Sequence, residues 1–267
     1  MAIQVPVVNQ RPWLMRICPP RWRESLFYRL YLDRFGEFTP LYRGAALEFA
    51  LNIYMWNLVP GDIISGCIAL GGIYEWYLSR RIVAMVRCGS TRFVDVGANM
   101  GYFSLLWASL SDHARVTAVE PVARNVALLT ANRDGNGLRE RIKIVAAAAS
   151  DSKGQISFAE GPADQTGWGG IAASGATQVP CVRLDEVIGD EFIDLLKIDV
   201  EGAEALVLSG ARRLLEERRI RRIVFENNLE RAAEHTGDCA KNIVEAYGFS
   251  CVRLGRNQGM WWAELAP

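Results

Sequence analysis

Fifteen residues constrain this chain more than any others: Arg92 to Leu106, reading Arg-Phe-Val-Asp-Val-Gly-Ala-Asn-Met-Gly-Tyr-Phe-Ser-Leu-Leu. Phe93, Val94 and Val96 make the short apolar run that a buried parallel strand needs, interrupted only by Asp95. Gly97 and Gly101 bracket a tight turn, after which Phe103, Leu106 and Leu110 recur on one helical face. The stretch therefore reads strand, glycine turn, helix. In open α/β sheets such a turn lies outside the carboxyl ends of the strands, where ligands bind. The glycines would let the backbone approach a ligand, and the helix N-terminus offers free N–H groups.

A dinucleotide fingerprint is Gly-x-Gly-x-x-Gly, and here Asn99 stands in place of the middle glycine. An acid inside the strand suits a ligand with an ammonium group, such as the methionyl part of S-adenosylmethionine, better than a pyrophosphate. The plainer alternative is a βα turn that binds nothing.

With 267 residues, half of them hydrophobic, the chain can bury a large core and fits one elaborated domain, or a domain plus a cap. Its formal net charge of zero gives no electrostatic case for nucleic acid. Arginines gather at Arg11 to Arg29 and at Arg212 to Arg222. The second group is interleaved with Glu216 and Glu217, as on a solvated helix face. Six scattered cysteines without Cys-x-x-Cys argue against a zinc site and against a disulfide framework. Met1 to Val8 is too short for a signal peptide, and polar residues break the apolar stretch from Leu47 to Leu78, so no membrane span is expected. A cytoplasmic location follows as the default.

In order, residues 1–44 read as irregular apart from a helix near Glu24 to Leu32, forming a cap or an arm that leaves room for a homo-oligomer. Residues 45–88 read as helical segments. Strands are expected at Val116–Val119, Ile142–Ala148, Ile193–Ile198 and Arg222–Phe225, with extra strands at Gln155–Phe158 and Val179–Leu184 around a glycine-rich loop. A helix through Ala240 to Tyr247 precedes two strands, Phe249–Leu254 and Met260–Leu265, joined as a hairpin. The expected domains are 1–88, a helical lead-in, and 89–267, the ligand-binding domain. A doubly wound sheet ending in ββ favours the methyltransferase variant of the Rossmann-like fold over a dehydrogenase.

Four segments together resemble the FkbM-type S-adenosylmethionine-dependent methyltransferases: Phe-Val-Asp-Val-Gly-Ala-Asn-Met-Gly-Tyr-Phe (93–103), Ala-Val-Glu-Pro (118–121), Leu-Leu-Lys-Ile-Asp-Val-Glu-Gly-Ala-Glu (195–204) and Ile-Val-Phe-Glu-Asn (223–227). Gly-Gly-Ile-Tyr-Glu, residues 71–75, looks like that family's lead-in. The resemblance implies a class I methyltransferase fold: a mostly parallel seven-stranded sheet with a C-terminal antiparallel hairpin strand. It also implies methyl transfer to oxygen on a sugar or other secondary metabolite.

Within that frame Glu120 is expected to accept both ribose hydroxyls, as an acid about 20 residues beyond the glycine turn does in dinucleotide folds. Asp95 and Asn99 would hold the methionyl end, Gly97, Gly101 and Tyr102 are further cofactor contacts, and Ser150 and Asp151 lie toward the adenine. The reaction centre is expected at Asp199, counted also among the cofactor contacts, with Glu226, Lys197 and the loop residue His235 as further candidates, since a hydroxyl must lose its proton. Lys197, buried in an apolar strand, is expected either to pair with Asp199 or Glu226 or to meet the substrate. Asp199 with Glu226 and Asn227 forms an oxygen cluster of the kind magnesium accepts. The aromatic loop Gln165–Gly170 and Tyr74, Trp76 and Tyr77 are further places for substrate contacts. Two other classes stay open: an NAD-dependent oxidoreductase of Rossmann type, and a catalytically idle cofactor-binding or scaffold subunit.

Overall fold

In the computed structural model, residues 12–32, 44–59, 61–162, 164–171, 177–226, 239–255 and 259–266 are described. Seven strands make the main sheet. Its centre is β3 (Arg92–Val96), flanked by β4 (Arg115–Val119) and β5 (Ile142–Val145) on one side. On the other side lie β10 (Leu195–Ile198), β11 (Arg222–Glu226), β13 (Met260–Leu265) and β12 (Phe249–Arg253). β3, β4, β5, β10 and β11 are parallel, while β13 inserts antiparallel between β11 and β12. This is the expected Rossmann-like class I methyltransferase sheet, closing ββ.

β3 and β10 read as nearly continuous apolar runs because both of their faces are covered. On one face lie α5 (Tyr102–Ser109), α4 (Trp76–Arg87) and α3 (Ile63–Gly71), in a core with Met15, Phe27, Leu78, Leu105 and Trp107. The other face carries α7 (Leu184–Ile188), α8 (Glu204–Gly210), α9 (Arg212–Glu216) and α10 (Ala240–Ala246). α5 is buried along most of its length, not on one stripe, because the lead-in packs over its outer side. On α9, Arg212–Glu216 and Arg213–Glu217 form the surface pairs expected of a solvated face.

Two departures from the sequence reading bear on the site. Residues 44–56 are not helical but an antiparallel hairpin, β1 (Gly44–Leu47) and β2 (Ala50–Trp56). In β2, Ile53 and Met55 are buried while Asn52 is exposed, an alternation that overrides the helical reading. Its free edge is capped by side chains of α6 (Ala123–Gly135): Asn136 and Asn132 accept from the N–H groups of Tyr54 and Trp56. Second, the expected third strand splits. After β5 the chain turns, and β6 (Ala148–Ala149) joins a separate four-stranded sheet with β9 (Thr177–Val182), β7 (Gly154–Glu160) and β8 (Gly169–Ile171). α1 (Trp13–Ile17) and α2 (Pro20–Leu30) complete the lead-in.

Candidate active site

A cavity of about 250 Å³ opens at the carboxyl ends of β3, β4, β10 and β11. The lead-in contributes Asp62, Tyr74 and Glu75 to its wall, and the loop before β8 contributes Gln165 to Gly169.

The glycine turn is built differently from its expected use. A Cβ on Gly97 would lie 1.9 Å from the carbonyl oxygen of Asp199, and one on Gly101 would lie 2.3 Å from Leu129 Cδ1. The Asp199 backbone leaves no room for a side chain at Gly97, while at Gly101 the positive φ of 94° is what favours glycine, its neighbour being a movable leucine end. Gly97 still lines the cavity; Gly101 starts α5 behind it. Asn99, between them, takes a left-handed backbone (φ 51°) and also lines the cavity. Three of the five described non-glycine residues with positive φ stand on this wall: Asn99, Glu75 and Glu201. Each such conformation costs on the order of 1 kcal/mol or more and persists only where surroundings enforce it.

Glu120 ends β4 and is 4% exposed. Its Oε2 accepts from Asn99 N at 2.8 Å; its Oε1 accepts from Val122 N at 3.0 Å and Asn125 Nδ2 at 3.3 Å. Burial pushes its carboxyl up to about 7, against the pull of these three donors. Asn125 also donates to Thr166 O, and Asn99 Nδ2 donates to Thr166 Oγ1. Thr166 is in turn fixed to the lead-in, because Asp62 Oδ1 accepts from its N–H and its hydroxyl at 2.9 and 3.0 Å. The other oxygen of Asp62 caps α3 through Ser65 N. Donors are consumed within this network, while Asn99 Oδ1 and Asn125 Oδ1 are left buried without partners. The wall thus presents hydrogen-bond acceptors to whatever fills the cavity.

Lys197 lies at the β10 end, buried, with Nζ 3.0 Å from Asp199 Oδ2, 3.7 Å from Asp95 Oδ1 and 5.4 Å from the centre of the Phe103 ring. Burial alone would lower its pKa, but Asp199, Asp95 and Glu75 together raise it, so it stays an ammonium. Of the two expectations for this lysine, the structure shows the pairing with Asp199. Asp95 is 1% exposed, accepts from Ser104 Oγ at 2.7 Å, and is not part of the cavity wall; it reaches the site only through Lys197.

Tyr102, Asp199 and Glu226 line the cavity, the tyrosine with its hydroxyl 3.0 Å from Ser79 Oγ. Ser150 and Asp151 stand just beyond the wall, which is formed there by Ala147 to Ala149. Trp168 is on the wall, whereas Trp76 stacks on Phe49 and Tyr77 is solvent-exposed, both away from it. His235 and Asn227 lie outside the described residues. Sequence reasoning missed Asp62, Asn125 and Glu75 as wall residues; Asp62 preceding a helix was a readable capping signal, but its partner Thr166 is 104 residues away.

The expected magnesium site finds no support: Asp199 is ion-paired to Lys197 Nζ, and no group of three or more His, Cys, Asp or Glu among the described residues is arranged to hold a metal ion. No helix among the described residues is long and apolar enough to cross a membrane.

A Rossmann-like class I sheet with an acid-lined cavity at its carboxyl edge defines the class of protein. The family model of the methyltransferase FkbM domain matches residues 95–251, and the chain belongs to that family. It is 31% identical over 204 residues to the AMB antimetabolite synthetase AmbE of Pseudomonas aeruginosa, covering 58% of this chain and 9% of that protein. It is 29% identical over 157 residues to the 2-O-methyltransferase NoeI of Sinorhizobium fredii, covering 51% of this chain and 63% of NoeI. The matched region thus spans less than two thirds of either relative. Among solved structures, the O-methyltransferase of Bacillus cereus in complex with SAH aligns at a TM-score of 0.43 and 13% identity, over 72% of this chain and 82% of that one.

Proposed function

We propose that the chain transfers a methyl group from S-adenosylmethionine to a hydroxyl oxygen of a small acceptor, a sugar or a related secondary metabolite. Family membership supports methyl transfer, and the name of NoeI favours oxygen as the atom that receives it. The observation that carries the cofactor reading is the cluster of acceptors at the end of β4: the Glu120 carboxylate with the unpartnered Asn99 Oδ1 and Asn125 Oδ1 beside it. Such a cluster fits the ribose hydroxyls and amino groups of that cofactor, all of them donors.

When bound, the cofactor supplies a methyl group already activated on a sulfonium. Everything else falls to the protein: orientation, exclusion of water and removal of a proton. Glu120 would hold the ribose between two backbone-fixed oxygens. Asn99 and the turn at Gly97 would face the methionyl end, and the loop anchored at Thr166 would cover the site. The lead-in of residues 1–88 would complete the pocket of the domain that follows it.

A thermal melt with S-adenosylhomocysteine, with NAD as control, tests the cofactor. Saturation at about a hundred times the dissociation constant adds about 2.7 kcal/mol, a rise of several degrees. A rise with NAD alone would overturn the reading in favour of an oxidoreductase. Mass spectrometry of a panel of methyl glycosides, catechol and N-acetylserine amide, incubated with S-adenosylmethionine, then tests the acceptor. Methylation confined to an amine-bearing control would overturn the oxygen assignment.

A further inference from the structure

Most acids of the cavity are already engaged. Glu120 takes three N–H donors and Asp199 is held by Lys197. Among the described residues, one cavity-lining carboxylate oxygen is buried without a hydrogen-bond partner: Oε2 of Glu75. Glu75 comes from the lead-in, outside the region matched by the family. Its backbone is left-handed (φ 45°, ψ 72°), and its own N–H and that of Trp76 donate to the two carboxylate oxygens of Glu24, each at 3.3 Å. A strained, non-glycine residue whose backbone is clamped by the half-buried carboxylate of Glu24 is held in place at a cost, which marks it for a role beyond packing.

Its surroundings locate it within the pocket. The charged groups that act on Glu75 are Asp199 just after β10, Lys197 from β10, Glu24 from α2 and Glu226 from β11. Tyr74, Tyr102, Tyr28 and Cys67 feel its charge from the lead-in and α5. Glu75 lines the same cavity as Lys197, Asp199 and Glu226, the residues at the β10–β11 end of the wall. A cofactor lying along the β3 turn from Glu120 would bring its reacting group to that end.

We propose that Glu75 is the carboxylate that takes the proton of the acceptor's hydroxyl. This rests on the methyl-transfer reading given above. In the step, the acceptor O–H bond breaks and its proton passes to Glu75 Oε2. The oxygen's electron pair forms the bond to the methyl carbon while the carbon–sulfur bond breaks, its pair remaining on a neutral thioether sulfur. The proton later leaves Glu75 for solvent. Burial and the nearby Asp199 raise the proton affinity of Glu75, and Lys197 opposes them. A cationic sulfonium close by would favour the ionised form needed for the next turnover.

The test compares wild type, Glu75→Gln and Glu75→Asp, each checked by circular dichroism and melting. On the first glycoside or phenol methylated by wild type, Glu75→Gln is expected to lower kcat by about 100-fold or more. It should leave the KM for S-adenosylmethionine within about threefold of wild type and remove the rise of kcat with pH. Glu75→Asp should recover part of the rate. A Glu75→Gln enzyme with near-normal kcat would overturn the proposal, as would a loss confined to S-adenosylhomocysteine affinity, which would make Glu75 a cofactor anchor.

A second arm needs no acceptor. Titration calorimetry in buffers of different ionisation enthalpy should show proton release when wild type binds S-adenosylmethionine, less with S-adenosylhomocysteine, and clearly less with Glu75→Gln, in which Glu120 keeps its own share. Equal release by the variant would overturn the proposal while leaving the cofactor reading intact. Failure of wild type to bind either compound would remove the cofactor reading, and this proposal with it.

Discussion

Glu120 and Glu75 are two carboxylates on one cavity wall, the first buried and the second half-buried with one oxygen out of reach of solvent, and they are held in opposite ways. Glu120 has every oxygen engaged by N–H donors from its own strand end and the adjacent turn. Glu75 keeps an oxygen empty, and it is its backbone, not its side chain, that is clamped. The first arrangement fixes a carboxylate as a rigid receptor, and the second leaves one available for chemistry. The difference follows from where the residues lie. At the end of β4 the free N–H groups of the adjoining turns reach the Glu120 carboxylate, whereas in the lead-in the N–H groups of Glu75 and Trp76 are taken by Glu24 and leave the Glu75 carboxylate without them.

The sharpest way to break the comparison, after Glu75→Gln, is to disturb the cation between the two ends. Lys197→Met would leave Asp95 buried and unpaired, and should destabilise the fold by about 3–5 kcal/mol in urea denaturation. Adding Asp95→Asn should recover much of that loss, and no recovery would mean that packing, not charge, was removed.

Glu120→Gln should weaken S-adenosylhomocysteine by about 10- to 100-fold in calorimetry, the worth of roughly 1.5–3 kcal/mol for hydrogen bonds to a charged group. If Glu75→Gln weakened that ligand equally, the division between receptor and reactive acid would collapse. Asp62→Ala removes both the helix cap and the anchor of Thr166, and should cost about 1–3 kcal/mol. Limited proteolysis should find the Gln165–Gly170 loop cut faster in that variant.

A smaller effect is expected from pH. Burial raises the carboxyls of Glu120 and Glu204 from an ordinary value of 4.5 to about 7. The folded protein therefore binds their protons more tightly than the unfolded chain does. The stability they contribute is complete below about 4.5 and is lost as pH rises through about 7. Melting temperature should fall across that window in the ligand-free protein, and Glu204→Gln should flatten part of the slope. An unchanged slope would mean that Glu204 is ionised throughout.

Much of the receptor end was legible in the sequence, because it is local. The strand, turn and helix from Arg92 to Ser109, the acid ending β4 and the closing ββ hairpin are set by periodicity and spacing within short windows. What could not be read is what depends on distant partners. Glycines at 97 and 101 looked like room for a ligand, yet their neighbours are Asp199 and Leu129. The β1–β2 hairpin looked helical because an apolar run of that length fits either period, and its edge is settled by two asparagines on α6. Glu75 read only as a charge interrupting an apolar stretch, since a left-handed backbone at a non-glycine residue leaves no trace in composition.

The lead-in's share of the wall has a consequence for anyone recombining these enzymes. A graft that keeps only the stretch recognisable as the family domain, from residue 95 onward, would transplant Glu120, Asp199 and Glu226 but leave behind Asp62, Tyr74 and Glu75. Such a chimera would inherit the socket from one parent and the reactive acid from the other. Its acceptor preference would then follow the donor of the first 88 residues as much as the donor of the domain.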